Sequence, residues 1–347
     1  MPQPDDFYHP GAYRPDAIPE QPPAIKQPRF KRFGSLRLPW GSTQDMMPPS
    51  VLKNVTPDTL RYQEELEQTG TTRPFAHIDL HVRFDNERIR HARLPASSQL
   101  WLYMNGIGKW GLVVILPLLL PVCLYMATFL EGNYFLSIFD VFFSVFPILI
   151  LPLFVSWFIG WIVVNHFPKL WIKPSKGPLW EFNRRTGLVT VFDYDNDGEY
   201  KKDGTVGEKV APFYEFDAYV TVSPDRQGFP NNVLSVVHRY QDSWINMANF
   251  VAPSGSASEP CGLWDYLQNY MDITQPLPDT PQMEPYRHLD PTTAEYDRQT
   301  GREPRYWRDM DDDTFNAKVR EMTERIPHIN TLQRTNLMTR YVNYHAL

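Results

Sequence analysis

The sequence has few of the residues and signals on which several protein classes depend. It contains two cysteines, Cys123 and Cys261, in 347 residues, so neither a disulfide framework nor a cysteine zinc site is expected. The opening MPQPDDFYHPGAYRPD has no apolar core and no cleavage site, and we expect no secretory signal peptide. A net charge of −6 without a basic block argues against nucleic acid as a partner.

Motifs of the common enzyme classes are also missing. The sequence has no phosphate-binding loop, no Rossmann glycine pattern, no HExxH and no CxxC. His238, Asp242 and Ser243 are residue types that can make a hydrolytic triad, but no G-x-S-x-G turn accompanies them. We therefore expect a protein without enzymatic activity, and we expect no cofactor.

Charge is absent from two long apolar runs in the middle of the chain. The first has 21 residues, between Lys109 and Glu131, and the second has 24 residues, at 141–164. A helix of about 20 residues spans the hydrocarbon core of a bilayer. We therefore predict a transmembrane hairpin at 101–170, with spans at about 110–130 and 141–164. Two buried helices of a soluble protein are the alternative, which the length of both runs disfavours.

Charged and aromatic residues flank the predicted spans. The outer flanks are basic, whereas the connection EGNYFLSIFD carries two acids and no Lys or Arg. This bias predicts that both termini lie in the cytoplasm. The cations predicted at the membrane surface are Lys109, Lys169, Lys173, Lys176, Arg184 and Arg185. The aromatic residues predicted at the membrane interfaces are Trp101, Trp110, Tyr134, Trp161 and Trp171.

Neither predicted span contains Asp, Glu, Lys or Arg. Ion paths and proton relays nearly always need such a residue in the membrane, so we expect an anchor and not a conduit. Gly108, Gly111 and Gly160 could let the two helices approach closely. The cations after the second span either set the topology alone or also hold the following domain against anionic headgroups.

The segments before the hairpin differ in composition. Residues 1–50 contain eleven prolines, which predicts an extended or disordered arm. Residues 51–100 predict a short helix that begins at Pro57, followed by an alternating strand at 76–84.

The segments after the hairpin are rich in strand patterns. Residues 171–275 predict a cytoplasmic module of antiparallel strands, with a tight turn at Asn183–Gly187 and a closing helix in GSASEPCGLWDYLQNYMDI. Residues 276–347 predict a polar tail with a helix near 311–325. The chain is therefore expected to be an α+β membrane protein with a small, mainly antiparallel β module. A pleckstrin-homology-like barrel is one candidate for that module.

One acidic turn resembles the start of a calcium loop. Asp193, Asp195 and Asp197 precede Gly198 in the pattern D-x-D-x-D-G, but Gly204 stands where the closing Glu should be. We therefore favour a solvated turn and predict no metal site.

Two stretches of the β module resemble a known family. They are GPLWEFNRRTGLVTVF at 177–192 and VAPFYEFDAYVTV at 210–222. Poorly characterised bacterial inner-membrane proteins share this pattern: two adjacent spans, a hairpin W-x-F-N-R-x-T-G-x-V, and an aromatic-Glu-Phe strand. The resemblance covers roughly residues 100–275. Members are often encoded beside type VI secretion or other polymorphic-toxin loci, and the family supplies no catalytic residues.

This resemblance implies a role in toxin delivery or self-protection. We expect an inner-membrane protein that binds a protein partner through its cytoplasmic domains and acts as an immunity protein against a toxin. A membrane scaffold or adaptor of a secretion or envelope machine is the alternative. The expected partners are the lipid bilayer and either a toxin or a secretion-system component, and a homo-oligomer is left open.

Overall fold

The computed structural model describes residues 7–25, 35–41, 48, 52, 55–71, 80–130, 133–194, 206–224 and 226–344. The chain divides into two units. The first, which we call the polar unit, comprises residues 1–73, 81–92 and 178–347. The second, the helical unit, comprises residues 74–80 and 93–177.

Short runs of alternating apolar residues build two antiparallel sheets in the polar unit. The five-stranded sheet has the order β2-β3-β4-β5-β6, and the four-stranded sheet has the order β1-β7-β8-β9. The strands are β1 (Ser35–Leu38), β2 (Arg83–Phe84), β3 (Arg88–Ala92), β4 (Pro178–Asn183), β5 (Leu188–Asp193), β6 (Gly207–Pro212), β7 (Phe216–Pro224), β8 (Pro230–His238) and β9 (Trp244–Asn246).

The predicted turn at 183–187 is confirmed. Asn183 pairs with Leu188 where β4 and β5 meet, and the Asn183 side chain accepts the Thr186 N–H at 3.1 Å. Gly187 has φ of +73°, and a Cβ there would lie 2.6 Å from the Gly11 carbonyl oxygen. Glycine is needed at this position because the backbone conformation and the close N-terminal segment both exclude a side chain.

Helices occur in both units. Those of the polar unit are α1 (Pro57–Thr69), α6 (Ser258–Met271), α7 (Pro291–Thr300) and α8 (Asp312–Arg325). Those of the helical unit are α2 (Ala96–Ala127), α3 (Tyr134–Val145), α4 (Leu151–His166) and α5 (Pro168–Trp171), with a π-helical turn at Phe146–Ile150 between α3 and α4. The predicted helices near 57, 258 and 311 are confirmed, and side chains of Thr56 and Asp311 cap two of them.

An aromatic cluster forms the centre of the polar unit. The Trp40 ring lies 4.7 Å from Trp264 on α6 and 4.8 Å from Phe213, measured between ring centroids. The Trp264 indole donates to the Pro39 carbonyl at 3.1 Å. All three rings are fully buried. The proline-rich N-terminal arm therefore contributes a core residue, because the Trp40 ring packs against Phe213 and against Trp264 of α6.

The boundaries of the polar unit differ from the predicted domains. β1 comes from the arm at 1–50, and β2 and β3 come from the segment before the hairpin. Tail residues Met338 and Val342 join the same core as the β module. The predicted strand at 76–84 is wrong for 80–82, where His81 has φ of 53°, and 76–79 lie outside the described residues. The pleckstrin-homology-like barrel stays a prediction.

The helical unit contains two helices that are long and apolar enough to cross a membrane, Ala96–Ala127 and Tyr134–His166. Both are longer than the predicted spans, because a charged residue such as Lys109 or Asp140 does not end a helix. The second helix instead begins where the Asn133 side chain accepts the Phe135 N–H at 3.0 Å. The second helix therefore begins inside the segment 131–140 that was predicted as the connection.

Glycine lets the two long helices touch at the backbone. A Cβ on Gly108 would lie 2.5 Å from the Trp157 nitrogen, and one on Gly160 would lie 2.5 Å from the Asn105 nitrogen. The Ser156 hydroxyl also donates to the Met104 carbonyl at 3.2 Å. The predicted close approach at these glycines is confirmed. Such backbone contact at small residues is the usual packing of helices that gain no hydrophobic stabilisation from association.

Candidate functional site

An open cleft of about 1170 Å³ lies in the polar unit. Its walls come from α1, from α7 with the preceding turn, and from residues 302–308. We call it the arginine cleft, because five arginines line it together with five acids. The arginines are Arg287, Arg298, Arg302, Arg305 and Arg308, and the acids are Glu64, Glu67, Glu284, Glu295 and Asp297.

Ion pairs hold the arginines of the cleft in place. Arg287 makes a two-point contact with Asp297, at 2.6 and 2.8 Å. Arg305 and Arg308 both contact the carboxylate of Glu64 on α1. These contacts join α1 to chain segments more than two hundred residues away, so the walls of the cleft are fixed by electrostatics and not by apolar contact alone.

Glu284 lies beneath the cleft and is inaccessible to solvent. Its carboxylate accepts the backbone N–H groups of Trp307 and Arg308, at 2.5 and 3.1 Å. Burial raises the pKa of Glu284, although these N–H groups and the charge of Arg302 oppose the rise. Burial by itself would raise the pKa of Asp279. Hydrogen bonds and charge from Arg302 outweigh this effect and leave the pKa of Asp279 below its usual value. The floor of the cleft is thus a fixed network.

The rim of the cleft is free to meet another molecule. The side chain of Arg298 is 76% exposed and that of Glu295 is 46% exposed, and the two form an i,i+3 pair on α7. Such exposed ion pairs add little to stability, so either side chain can pair with a partner at small cost. The geometry therefore suits a polar segment that carries charges of both signs.

Arg184, predicted at the membrane surface, is fully buried in the polar unit, and that prediction is wrong. Its guanidinium donates to Asp290, which is equally buried, at 3.0 and 3.3 Å. It also donates to the backbone carbonyls of Tyr270, Asp272 and Gln275. All five N–H groups are used, which is what makes a buried charge tolerable. The tight turn thus points Arg184 into the protein.

Asp290 completes this buried cluster. Tyr8 donates its hydroxyl to Asp290 at 2.6 Å, and Thr293 donates both its N–H and its hydroxyl. Burial works against the charged form, but the Arg184 charge leaves the pKa of Asp290 below its usual value. The Arg184–Asp290 cluster therefore connects the N-terminal arm, the β4–β5 turn and α7.

The other predicted surface cations divide into two groups. Arg185 is 47% exposed, and it donates to the Phe7 carbonyl at 2.7 Å and lies 3.7 Å from Glu87, so it is engaged inside the polar unit. Lys109, Lys169, Lys173 and Lys176 belong to the helical unit and are exposed. No described carboxylate forms an ion pair with Lys109, Lys169 or Lys173. These lysines are thus available to an outside partner.

The lysines do not all lie at one level of the helical hairpin. Gly108 contacts Trp157, so neighbouring Lys109 lies about ten residues, or about 15 Å along the helix axis, from the end of α4 at His166. Lys169 follows beyond that end. The predicted interface aromatics are also spread out. Trp110 and Trp161 are 65% and 41% exposed, whereas the Trp171 indole donates to the Val164 carbonyl at 3.0 Å.

The remaining interface aromatics lie at opposite ends of α2. Trp101 is half-buried near its beginning, and the Tyr134 hydroxyl donates to the Leu124 carbonyl at 3.0 Å near its end. Both rings therefore lie toward the ends of the hairpin, where interface residues are expected.

His238 is not placed to activate a hydroxyl nucleophile. Its Nδ1 accepts the backbone N–H groups of Tyr240 and Gln241, at 3.0 and 2.9 Å, and its Nε2 lies 3.0 Å from a Glu215 carboxylate oxygen. Both ring nitrogens are therefore already engaged. Ser243 meets His238 through the backbone, where its carbonyl accepts the His238 N–H. The arrangement does not form the triad that His238, Asp242 and Ser243 could have suggested.

The acidic turn is described only at its start. Asp193 ends β5, and its carboxylate lies 3.4 Å from the Lys209 ammonium. Asp195 and Asp197 lie outside the described residues. Within the described ranges, no group of three or more His, Cys, Asp or Glu could hold a metal ion.

The cleft residues were missed by the sequence reasoning, although a signal for them exists. Arg302, Arg305 and Arg308 follow the spacing R-x-x-R-x-x-R. The spacing alone does not indicate a site, because the surrounding tail is polar and proline-bearing and has no obvious partner element in the sequence. Only the fold shows that Glu64, on a helix before the hairpin, supplies the matching carboxylate.

No protein-family model, curated protein or solved structure matches this chain at a significant level.

Proposed function

We propose that this chain is an integral membrane protein whose polar unit binds a protein partner in the cytoplasm. The hairpin of the helical unit anchors it in a bacterial inner membrane, and the arginine cleft receives a polar segment of the partner. The observation that carries the proposal is the exposed apolar surface of the two long helices.

That surface is too apolar for water. Ile148 is 79% exposed, Phe135 is 72% exposed and Leu120 is 64% exposed. Contiguous apolar surface of this kind is rare on soluble proteins, and each long helix exceeds the length that a bilayer needs. Lipid is the solvent that suits these side chains.

The sheet register supports an even number of crossings. The chain leaves the five-stranded sheet at Ala92 in β3 and re-enters it at Pro178 in β4, and these two residues are partners in the ladder. The segment between them must therefore begin and end on the same side of a bilayer. Two spans satisfy this condition, and the basic flanks favour the cytoplasmic side.

Alkaline carbonate extraction of cell membranes tests the anchor. We expect the full chain to remain in the membrane pellet, because its apolar helices cannot leave lipid without exposing their side chains to water. Recovery of the chain in the supernatant would overturn the proposal.

An exchange of charge on the rim tests the cleft. We expect Arg298→Glu to lose partner capture from cell extracts by at least about tenfold, a change worth ~1.4 kcal/mol. Arg320→Glu on α8 is the matched control, because Arg320 is an exposed helix arginine outside the cleft. Equal capture by both variants and the wild type would remove the cleft from the proposal.

We further propose that the partner is a toxin of an interbacterial secretion system and that this chain blocks it as an immunity protein. The support is the hairpin motif that includes Trp180 and Gly187. Deletion of the gene should lower survival against sibling attackers, and unchanged survival would contradict this role. Recovery of several secretion-machine subunits, and no single toxin, with the wild-type chain would favour the scaffold alternative.

A further inference from the structure

We infer that residues 166–176, at the end of the second long helix, form a binding surface for the headgroups of anionic phospholipids. We call this stretch the lysine segment. The inference rests on the proposed function, because it requires the hairpin to lie in a bilayer, and it names a lipid class that the anchor alone does not require.

The lysine segment combines apolar and basic side chains at one end of the hairpin. Phe167 and Leu170 are 53% and 50% exposed, and exposed Lys169 lies between them in the sequence. Backbone bonds fix the short helix α5, with Ile172 N–H donating to the Pro168 carbonyl at 2.8 Å. Apolar side chains beside lysines are the composition of segments that lie at the headgroup level.

The segment is held against the end of α4. The Trp171 indole donates to the Val164 carbonyl at 3.0 Å, which occupies a carbonyl in the last turn of that helix. Ser175 donates its hydroxyl to the Leu80 carbonyl at 3.1 Å. These two bonds fix the middle and the end of the lysine segment, so its lysines are presented beyond the end of α4.

Two lysines of the lysine segment, Lys169 and Lys173, have no carboxylate partner among the described residues. No Asp or Glu occurs from residue 141 to residue 180, and no carboxylate among the described residues forms an ion pair with Lys169 or Lys173. The acids between residues 93 and 177 are Glu131 and Asp140. Asp140 lies in α3, about 40 Å of helix away from His166. The end of the hairpin that carries Lys169 therefore has a net positive charge.

An anionic bilayer surface fits this arrangement better than an acidic protein would. The exposed apolar residues and the lysines follow directly on a helix suited to lipid, so the segment lies where headgroups are expected. Each lysine near an anionic surface favours binding by about fivefold, which corresponds to ~1 kcal/mol. Two lysines should therefore give a preference of about 25-fold for anionic lipid.

Lipid binding to the full-length protein in non-ionic detergent micelles tests the inference. Phosphatidylglycerol and phosphatidylcholine with the same acyl chains are titrated separately, and bound lipid is counted by native mass spectrometry. We expect the wild type to prefer phosphatidylglycerol by about 25-fold at low salt, and we expect 0.5 M NaCl to weaken this preference. The variant K169Q/K173Q should lose the preference, and K169R/K173R should keep it.

The controls separate this inference from the proposed anchor. R14Q/R320Q removes two exposed cations from the polar unit and should keep the lipid preference, with thermal melting to show that each variant is folded. Equal affinity of the wild type for both lipids, or an equal loss in R14Q/R320Q, would overturn the inference. A chain that resists carbonate extraction yet binds both lipids alike would retain the anchor and lose only this surface.

Discussion

The two units use charge in opposite ways. The polar unit neutralises its buried charges internally: Arg184 pairs with Asp290, and Arg239 pairs with Asp217 at 2.7 Å. The helical unit leaves Lys109 and Lys169 without a described carboxylate partner, and it fixes its two helices through backbone contact at glycine. Ion pairs therefore position the segments of the polar unit. In the helical unit, close backbone contact positions the two helices, and these lysines make no described ion pair.

The difference follows from what each kind of packing requires. In the polar unit, removal of a charge from water is offset only when every hydrogen-bonding group finds a partner. That condition makes the pairs specific, because Arg184 fits one set of acceptors. Helices in lipid gain little from apolar association, so close backbone approach replaces it.

The largest effect is expected for the buried pair of the polar unit. Arg184→Ala should lower the free energy of unfolding by ~3–5 kcal/mol, because Asp290 would remain buried without its counter-charge. Urea unfolding of the full chain in detergent micelles, followed by near-ultraviolet circular dichroism, measures this loss. Arg185→Ala is the adjacent control and should cost less than about 1 kcal/mol. Similar losses in both variants would break the contrast between paired and surface charge.

A smaller effect is expected at the helix contact. Gly108→Ala and Gly160→Ala should each cost ~1–3 kcal/mol, because the new Cβ meets the backbone of the facing helix, which cannot rotate away. Thermal melting in detergent micelles, followed by far-ultraviolet circular dichroism, gives the order of stability. Gly106→Ala is the matched control, because nothing lies within 4 Å of a Cβ there. If Gly106→Ala were as harmful, helix propensity and not contact would explain the glycines.

The smallest effect is expected in the dependence of the free energy of unfolding on pH. Burial lowers the pKa of His238 in the folded protein, although Glu215 opposes this, so the unfolded chain binds more protons at mildly acidic pH. The neutral His238 ring contributes fully to stability above the pKa of about 6.5 that histidine has in the unfolded chain. This contribution is lost as the pH falls below that pKa. Stability should thus decline from pH 7.5 to 5.5.

His238→Gln should flatten this decline, because glutamine carries no titrating group. Urea unfolding of the full chain at both pH values measures the difference. The exposed cleft residue His288 provides the control His288→Gln, which should keep the wild-type slope. An unchanged slope in His238→Gln would show that the polar unit does not depend on a neutral ring at this position.

Local signals in the sequence predicted the elements well. The uncharged runs predicted both long helices, and Asn183 with Gly187 predicted the turn, because each signal lies within one element. The partners across the fold were not predictable in this way. Arg184 reads as a surface cation beside Lys176, and its buried role depends on Asp290, more than a hundred residues later. The arginine cleft was missed for the same reason, since Glu64 and Arg308 lie on either side of the hairpin.

The ladder between β3 and β4 also sets an order of events during synthesis. Ala92 leaves the ribosome long before its partner Pro178, and the apolar helices emerge between them. The five-stranded sheet therefore cannot be completed until both long helices have left the ribosome. β2 and β3 can pair with each other early, but β3 must wait for β4, and β1 must wait for β7. The two sheets of the polar unit can therefore be completed only after both long helices have been synthesised.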